Sequence, residues 1–173
     1  SRSLPSGTVL GDYCVTRYLG SGSFGKVYQA VDQRTDLWVA LKVCPTVNLE
    51  AKFLRQLQHP HIVGFVDEFT ADVGHVTVVE YVSGIPLSRL LDAVHGQPCS
   101  RVRVRDVFAR MDADIATSFD DGYRRDESAS CIVSSRERFN TFCWRVVLRM
   151  ANAVDYSHSQ DIVHHDIKPE NIL

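Results

Sequence analysis

The chain has 173 residues, of which 45% are hydrophobic and 23% charged, and a formal net charge of −2. That balance excludes disordered and fibrous classes and makes one globular domain the default. It also excludes the basic excess that nucleic acid or an anionic membrane surface demands.

In chain order, Tyr13 to Leu19 (YCVTRYL) is rich in β-branched and aromatic residues and predicts a strand that runs into GSGSFG at Gly20 to Gly25. A lone GxGxxG reads either as a flexible turn or as a dinucleotide loop opening a helix. The next residues, Lys26 to Val31 (KVYQAV), are poor helix formers and lead to the turn-like DQRTD before Leu37. A hairpin is therefore predicted. Glycines between antiparallel strands suggest a lid whose backbone approaches a phosphate, not a Rossmann unit. In Val39 to Val43 (VALKV) the period of two puts Val39, Leu41 and Val43 on one face and Ala40 with Lys42 on the other. Lys42 is then either a solvated outer-face residue or a partner for a nearby acid. Asn48 to Leu57 predicts a short helix capped by Asn48, with Glu50 in line with Leu54 and Leu57 on the apolar stripe. An acid on that stripe needs a cation, and Lys42 is the nearest candidate.

HVTVVEYV (His75 to Val82) reads as a further apolar strand, and 87–95 as a helix. Residues 96–137 mix arginines and aspartates with few aromatics, which predicts a solvated excursion; a docking or phosphorylation segment around Ser128 is the sharper reading. From Arg138 to Ser159, the spacing of Phe139, Phe142, Val146, Met150 and Val154 predicts a long amphipathic helix whose stripe is core. The C-terminal VHHDIKPENIL crowds ionisable groups together, as a solvated tail or a reacting site would. The five cysteines are odd in number and lack a CxxC pair, so neither a disulfide framework nor a zinc site is indicated, and an intracellular, cytoplasmic setting is expected. No apolar run approaches the roughly 20 residues of a membrane span.

Four motifs in this order, LGSGSFGKV (Leu19 to Val27), VALK ending at Lys42, the helix glutamate Glu50 and HHDIKPEN (His164 to Asn171), make the sequence resemble a eukaryotic-type protein kinase domain of the serine/threonine kind. The resemblance implies an α+β fold. Its N-lobe, 1–79, is an antiparallel sheet with one helix; 80–86 is a hinge; 87–173 begins a mainly helical C-lobe, with a catalytic loop at 162–173. It implies ATP and magnesium as cofactors and a protein with a Ser or Thr hydroxyl as substrate. Leu19, Gly20, Ser21, Gly22, Ser23, Phe24, Gly25, Val27 and Ala40 would cover the nucleotide, with the backbone of Glu80 and Val82 at the adenine edge and Val79 beside it. Lys42, paired with Glu50, would hold the α- and β-phosphates. Asp166 would accept or orient the substrate's hydroxyl proton, Lys168 would steady the transferring phosphate, and Asn171 would ligate magnesium.

Departures from the family pattern are visible in the sequence. Lys42 and Glu50 are separated by only seven residues, so the helix must lose its first turn or the connecting loop must be tight. His165 stands where an arginine is usual, and Pro86 where a polar residue is. The family's D-F-G aspartate would follow Leu173, so the resemblance implies a fragment inactive by itself. A non-catalytic pseudokinase or nucleotide-binding scaffold is the alternative, and a docking partner for 96–137 is the further expectation.

Overall fold

The computed structural model describes residues 3–22, 25–47, 49–95 and 139–173. Asn48, Ser23, Phe24, Arg138 and the 96–137 segment with Ser128 lie outside them, as do Cys99 and Cys131.

Strands β1 (Val9–Leu10), β2 (Tyr13–Gly22), β3 (Gly25–Asp32), β4 (Trp38–Cys44), β5 (Phe65–Ala71) and β6 (Gly74–Glu80) form a six-stranded sheet in the order β1-β2-β3-β4-β6-β5. Every neighbouring pair is antiparallel. The hairpin expected around the glycines is β2–β3, with Gly22 opposite Gly25. The short β1 and the edge strand β5 were not assigned from sequence; β5 reads FVDEFTA, whose charges dilute its apolar pattern.

Strand parity sorts the sheet into two faces. Tyr13, Val15, Tyr28, Ala30, Val39, Leu41, Val43, Val76 and Val78 bury on one face, with Leu4, Phe69 and Ala71 packed against them. At roughly 1.5–3 kcal/mol for each large apolar side chain buried, this cluster dominates the stability of the sheet. Ala40 and Lys42, half-buried, occupy the other face, as the alternation requires. Two bulges interrupt β2, at Thr16 and at Leu19: Val15 pairs with Ala30 but Arg17 with Gln29, and Tyr18 pairs with Tyr28 but Gly20 with Val27. Each extra residue reverses the face that the next side chain takes.

A polar network closes the end of the sheet away from the glycine turn. Arg34 donates from Nε and Nη2 to Asp32 at 3.0 Å each and from Nη2 to the Tyr13 hydroxyl at 2.8 Å, and it pairs with Asp12 at 3.2 Å. The Tyr13 hydroxyl in turn donates to Asp67 Oδ2 at 3.0 Å. The hydrogen bonds from Arg34 hold the Asp32 carboxyl below the usual carboxylate range. Burial, assisted by Asp67, pushes Tyr13 up to about 12.

Helix α1 covers only Glu50–Leu54, five residues against the ten expected. Its cap residue is Leu49, without a side-chain cap bond, and its buried residue is Ala51; Leu54 is half-buried and Leu57 falls beyond the helix. The helix begins at Glu50 itself, the residue that Lys42 reaches.

The contacts divide the chain into two units, Ser1–Val82 with Tyr156–Ile162, and Ser83–Asp155 with Val163–Leu173. The second contains α2 (Leu87–Val94), most of α3 (Phe139–Ser159) and a 3-10 turn at Pro169–Asn171. Leu90, Val94 and Phe139 form its buried cluster, flanked by Phe142 and Cys143. The expected α3 stripe is the inner face: Phe139 is buried and Phe142, Val146, Met150 and Val154 are half-buried, whereas Trp144, Val147 and Leu148 are exposed. No described helix is long and apolar enough to cross a membrane.

Candidate active site

The first cluster grows from β4. Lys42 lies opposite Val27 of β3 and Thr77 of β6, on the face it shares with Ala40, and Ala40 lies opposite Val79. The Lys42 ammonium forms an ion pair with the Glu50 carboxylate at the start of α1. What aims Glu50 is the docking of α1 on β5. Arg55, just past the helix, pairs with Glu68 at 3.0 Å and lays its guanidinium over the Phe65 ring at 4.6 Å. Neither Arg55 nor Glu68 was singled out from sequence, because an Arg and a Glu thirteen positions apart carry no local pairing signal.

The three glycines of the turn differ physically. Gly25 has φ +155°, and a Cβ there would lie 2.3 Å from the Val43 carbonyl oxygen. Around Gly20 and Gly22 a Cβ would meet nothing within 4 Å. Gly25 is therefore required by the close approach of β3 to β4, while Gly20 and Gly22 leave backbone open to an approaching ligand. Ser21 lies between them in β2, and the bulge at Leu19 sets that residue and Gly20 against Val27. At the end of β6, Glu80 exchanges bonds with Gly64: its amide donates to the Gly64 carbonyl and its Oε1 accepts from the Gly64 amide, each at 2.9 Å. The Glu80 side chain is thus tied to the chain entering β5. Val82 follows, partly exposed.

The second cluster is local to 164–171. Pro169 opens the 3-10 turn and confines Lys168 to an extended backbone, φ −153°. The turn brings Asn171 back so that its Nδ2 donates to the Asp166 carbonyl at 2.9 Å and to Asp166 Oδ2 at 3.1 Å. Lys168 Nζ pairs with the same Oδ2 at 2.8 Å. From the other side, the Asp166 amide donates to the His164 carbonyl at 2.9 Å and to its ring Nδ1 at 3.2 Å. His165 between them has φ +60°, a left-handed conformation that costs a non-glycine residue free energy and marks a backbone held by its surroundings. The Lys168 hydrogen bond, aided by Asn171, holds the Asp166 carboxyl below its ordinary range, and Asp166 raises Lys168. An aspartate so placed stays ionised at neutral pH.

Among the described residues no group of three or more His, Cys, Asp and Glu converges as a metal cage. Asn171, whose Nδ2 is taken up by Asp166, keeps its Oδ1 as an oxygen donor, which suits magnesium, an ion that commonly takes one or two protein oxygens and completes its shell with phosphate and water.

Sequence reading also missed Tyr156. Its hydroxyl accepts from the Gln58 amide at 3.1 Å and its ring stacks on His59 at 5.2 Å, bracing the loop after α1. Ninety-eight positions separate Gln58 from Tyr156, so only the fold reveals the contact.

Residues 14–173 match the family model for protein tyrosine and serine/threonine kinases. The chain is 31% identical to CBL-interacting protein kinase 12 of Oryza sativa subsp. japonica, over 96% of its own length and 25% of that relative. It is 29% identical to the SNF1-like protein kinase ssp2 of Schizosaccharomyces pombe, over 95% of the chain and 23% of the relative. With the carbon catabolite-derepressing protein kinase of Saccharomyces cerevisiae the figures are 28%, 99% and 22%. The chain therefore spans about a quarter of these relatives. Among solved structures, the Mycobacterium tuberculosis PknI kinase domain superposes with a TM-score of 0.57 at 22% identity, covering 98% of this chain and 57% of that one. That likeness is one of fold: an antiparallel-sheet lobe followed by helices. With the model match running from β2 to the last residue, the chain belongs to the protein tyrosine and serine/threonine kinase family.

Proposed function

We propose that this protein transfers the γ-phosphate of ATP to serine or threonine hydroxyls of protein substrates. The observation that carries the reading is the Asp166–Lys168–Asn171 constellation. A scaffold that only held a nucleotide would need Lys42 and the glycines, but it has no use for an ionised carboxylate clasped between an ammonium and an amide. The relatives' names, all protein kinases, and the family's general use of ATP and magnesium support it.

The nucleotide would lie on the Val27 and Ala40 face of the sheet, with its adenine edge toward the backbone of Glu80 and Val82. Gly20 and Gly22 let backbone amides approach the phosphates, and Lys42, held in place by Glu50, supplies positive charge to them. Asp166 orients the acceptor hydroxyl and takes its proton on a carboxylate oxygen. Asn171 fixes that carboxylate through Nδ2 and offers Oδ1 to a magnesium ion, and Lys168 stands ready to neutralise the moving phosphate. Magnesium, which Asn171 would help to hold, would supply positive charge to the phosphates.

The full-length protein, given magnesium, radiolabelled ATP and peptides that differ only in a Ser, Thr or Tyr acceptor, should label the Ser and Thr peptides. Asp166→Asn should lower turnover by about 10²–10⁴-fold while nucleotide binding persists. Lys42→Met should abolish transfer with the circular dichroism spectrum unchanged, and Glu50→Gln should do so less completely. Nucleotide binding without transfer would favour the scaffold reading, and wild-type turnover in Asp166→Asn would overturn the assignment.

A further inference from the structure

Arg17 is misplaced by simple alternation. Tyr13 and Val15 point into the core, and a period of two would send Arg17 after them. The bulge at Thr16 turns it to the face that carries Gln29 and Ala40. There Arg17 Nε donates to Gln29 Oε1 at 2.7 Å and Nη2 donates to the Tyr81 hydroxyl at 3.0 Å. Thr16 ties the same glutamine, its hydroxyl lying 3.1 Å from the Gln29 carbonyl oxygen and 3.4 Å from Oε1.

These contacts join β2 and β3 to the residue just past β6, far away in the chain. Tyr81 sits between Glu80 and Val82, and Arg17 two positions before Leu19; 64 residues separate the partners. A guanidinium using two different nitrogens on two partners fixes both distance and angle, as a single flexible ammonium would not. Both bonds are partly buried, so water competes for them less than it would on an open surface.

We propose that Arg17 is a positioning residue for the nucleotide: by gripping Tyr81 and Gln29 it fixes the opening between the β2–β3 hairpin and the 80–82 segment, and so sets nucleotide affinity rather than the rate of transfer. The inference rests on the reading of Leu19, Val27, Ala40, Glu80 and Val82 as the adenine site.

Tyr81→Phe removes one oxygen atom and keeps the ring, so it tests the grip without threatening the fold. In the full-length protein, Tyr81→Phe and Arg17→Ala should each raise the KM for ATP about 3- to 10-fold, the scale of one ordinary net hydrogen bond, with kcat within twofold and the melting temperature nearly unchanged. ADP with magnesium, titrated calorimetrically, should weaken by the same factor. The double variant should be no worse than Arg17→Ala alone, because both changes remove one interaction. Arg17→Lys, which can serve one partner but not both, should fall between wild type and Arg17→Ala. Wild-type KM and ADP affinity in Tyr81→Phe would overturn the inference. So would a loss of melting temperature with KM unmoved, which would mark the contact as a staple of the fold. If wild type binds neither ATP nor ADP, the nucleotide reading itself fails, and this inference fails with it.

Discussion

Gly25→Ala separates the glycine that the fold needs from those that a ligand needs. At position 25 the new methyl would sit 2.3 Å from the Val43 carbonyl oxygen and 3.0 Å from its carbon, both backbone atoms that cannot rotate away, and the residue would keep φ +155°. Strain at a glycine-favouring φ is of order 1–3 kcal/mol, and forcing β3 from β4 adds an overpacking cost of about 1–3 kcal/mol. We expect a loss of about 2–6 kcal/mol, which lowers Tm by roughly 4–24 °C in a domain of this size. Gly20→Ala and Gly22→Ala meet nothing within 4 Å. They should leave Tm unchanged or raise it slightly, since alanine restricts the unfolded chain, yet they should weaken ATP binding by crowding the phosphates. Thermal unfolding followed by circular dichroism and by differential scanning calorimetry reads the first effect, and nucleotide titration the second. A Gly25→Ala protein that melts with wild type would refute the steric argument, as would a Gly22→Ala protein that is equally destabilised.

Lys168→Met should move the Asp166 titration, followed by carboxyl-carbon NMR, upward toward the ordinary value near 3.9, because the hydrogen bond that lowers it is gone; an unmoved midpoint would show that Lys168 is not the cause. Asp32→Asn should destabilise the protein at neutral pH. Arg34 lowers the folded-state pKa of Asp32 below its unfolded value, so the carboxylate contributes stability in full above about 3.9 and loses it as pH falls through the folded value. The urea midpoints of variant and wild type should therefore converge toward acid pH, and a constant gap would refute the linkage.

The sequence by itself determined whatever depends on neighbours along the chain. A period of two was enough to separate Lys42 from Val39, Leu41 and Val43, because a strand's two faces follow from backbone geometry alone. The α3 stripe was legible because α3 is long enough for its 3.6 period to show. The crowding of Asp166, Lys168 and Asn171 was visible in the sequence and their grouping as a site came from the resemblance; one proline-led turn brings them together within six residues. Only the tertiary structure decided the rest. Helix α1 shrank to five residues because one and a half turns hold few contacts of their own, and docking through Arg55 and Glu68 sets its ends. The bulges at Thr16 and Leu19 are spacing changes that a partner strand imposes, so no periodicity in β2 announces that Arg17 leaves the core face. Arg17 with Tyr81, and Gln58 with Tyr156, meet across 64 and 98 positions, where pairing depends on strand order and helix placement and leaves no local trace.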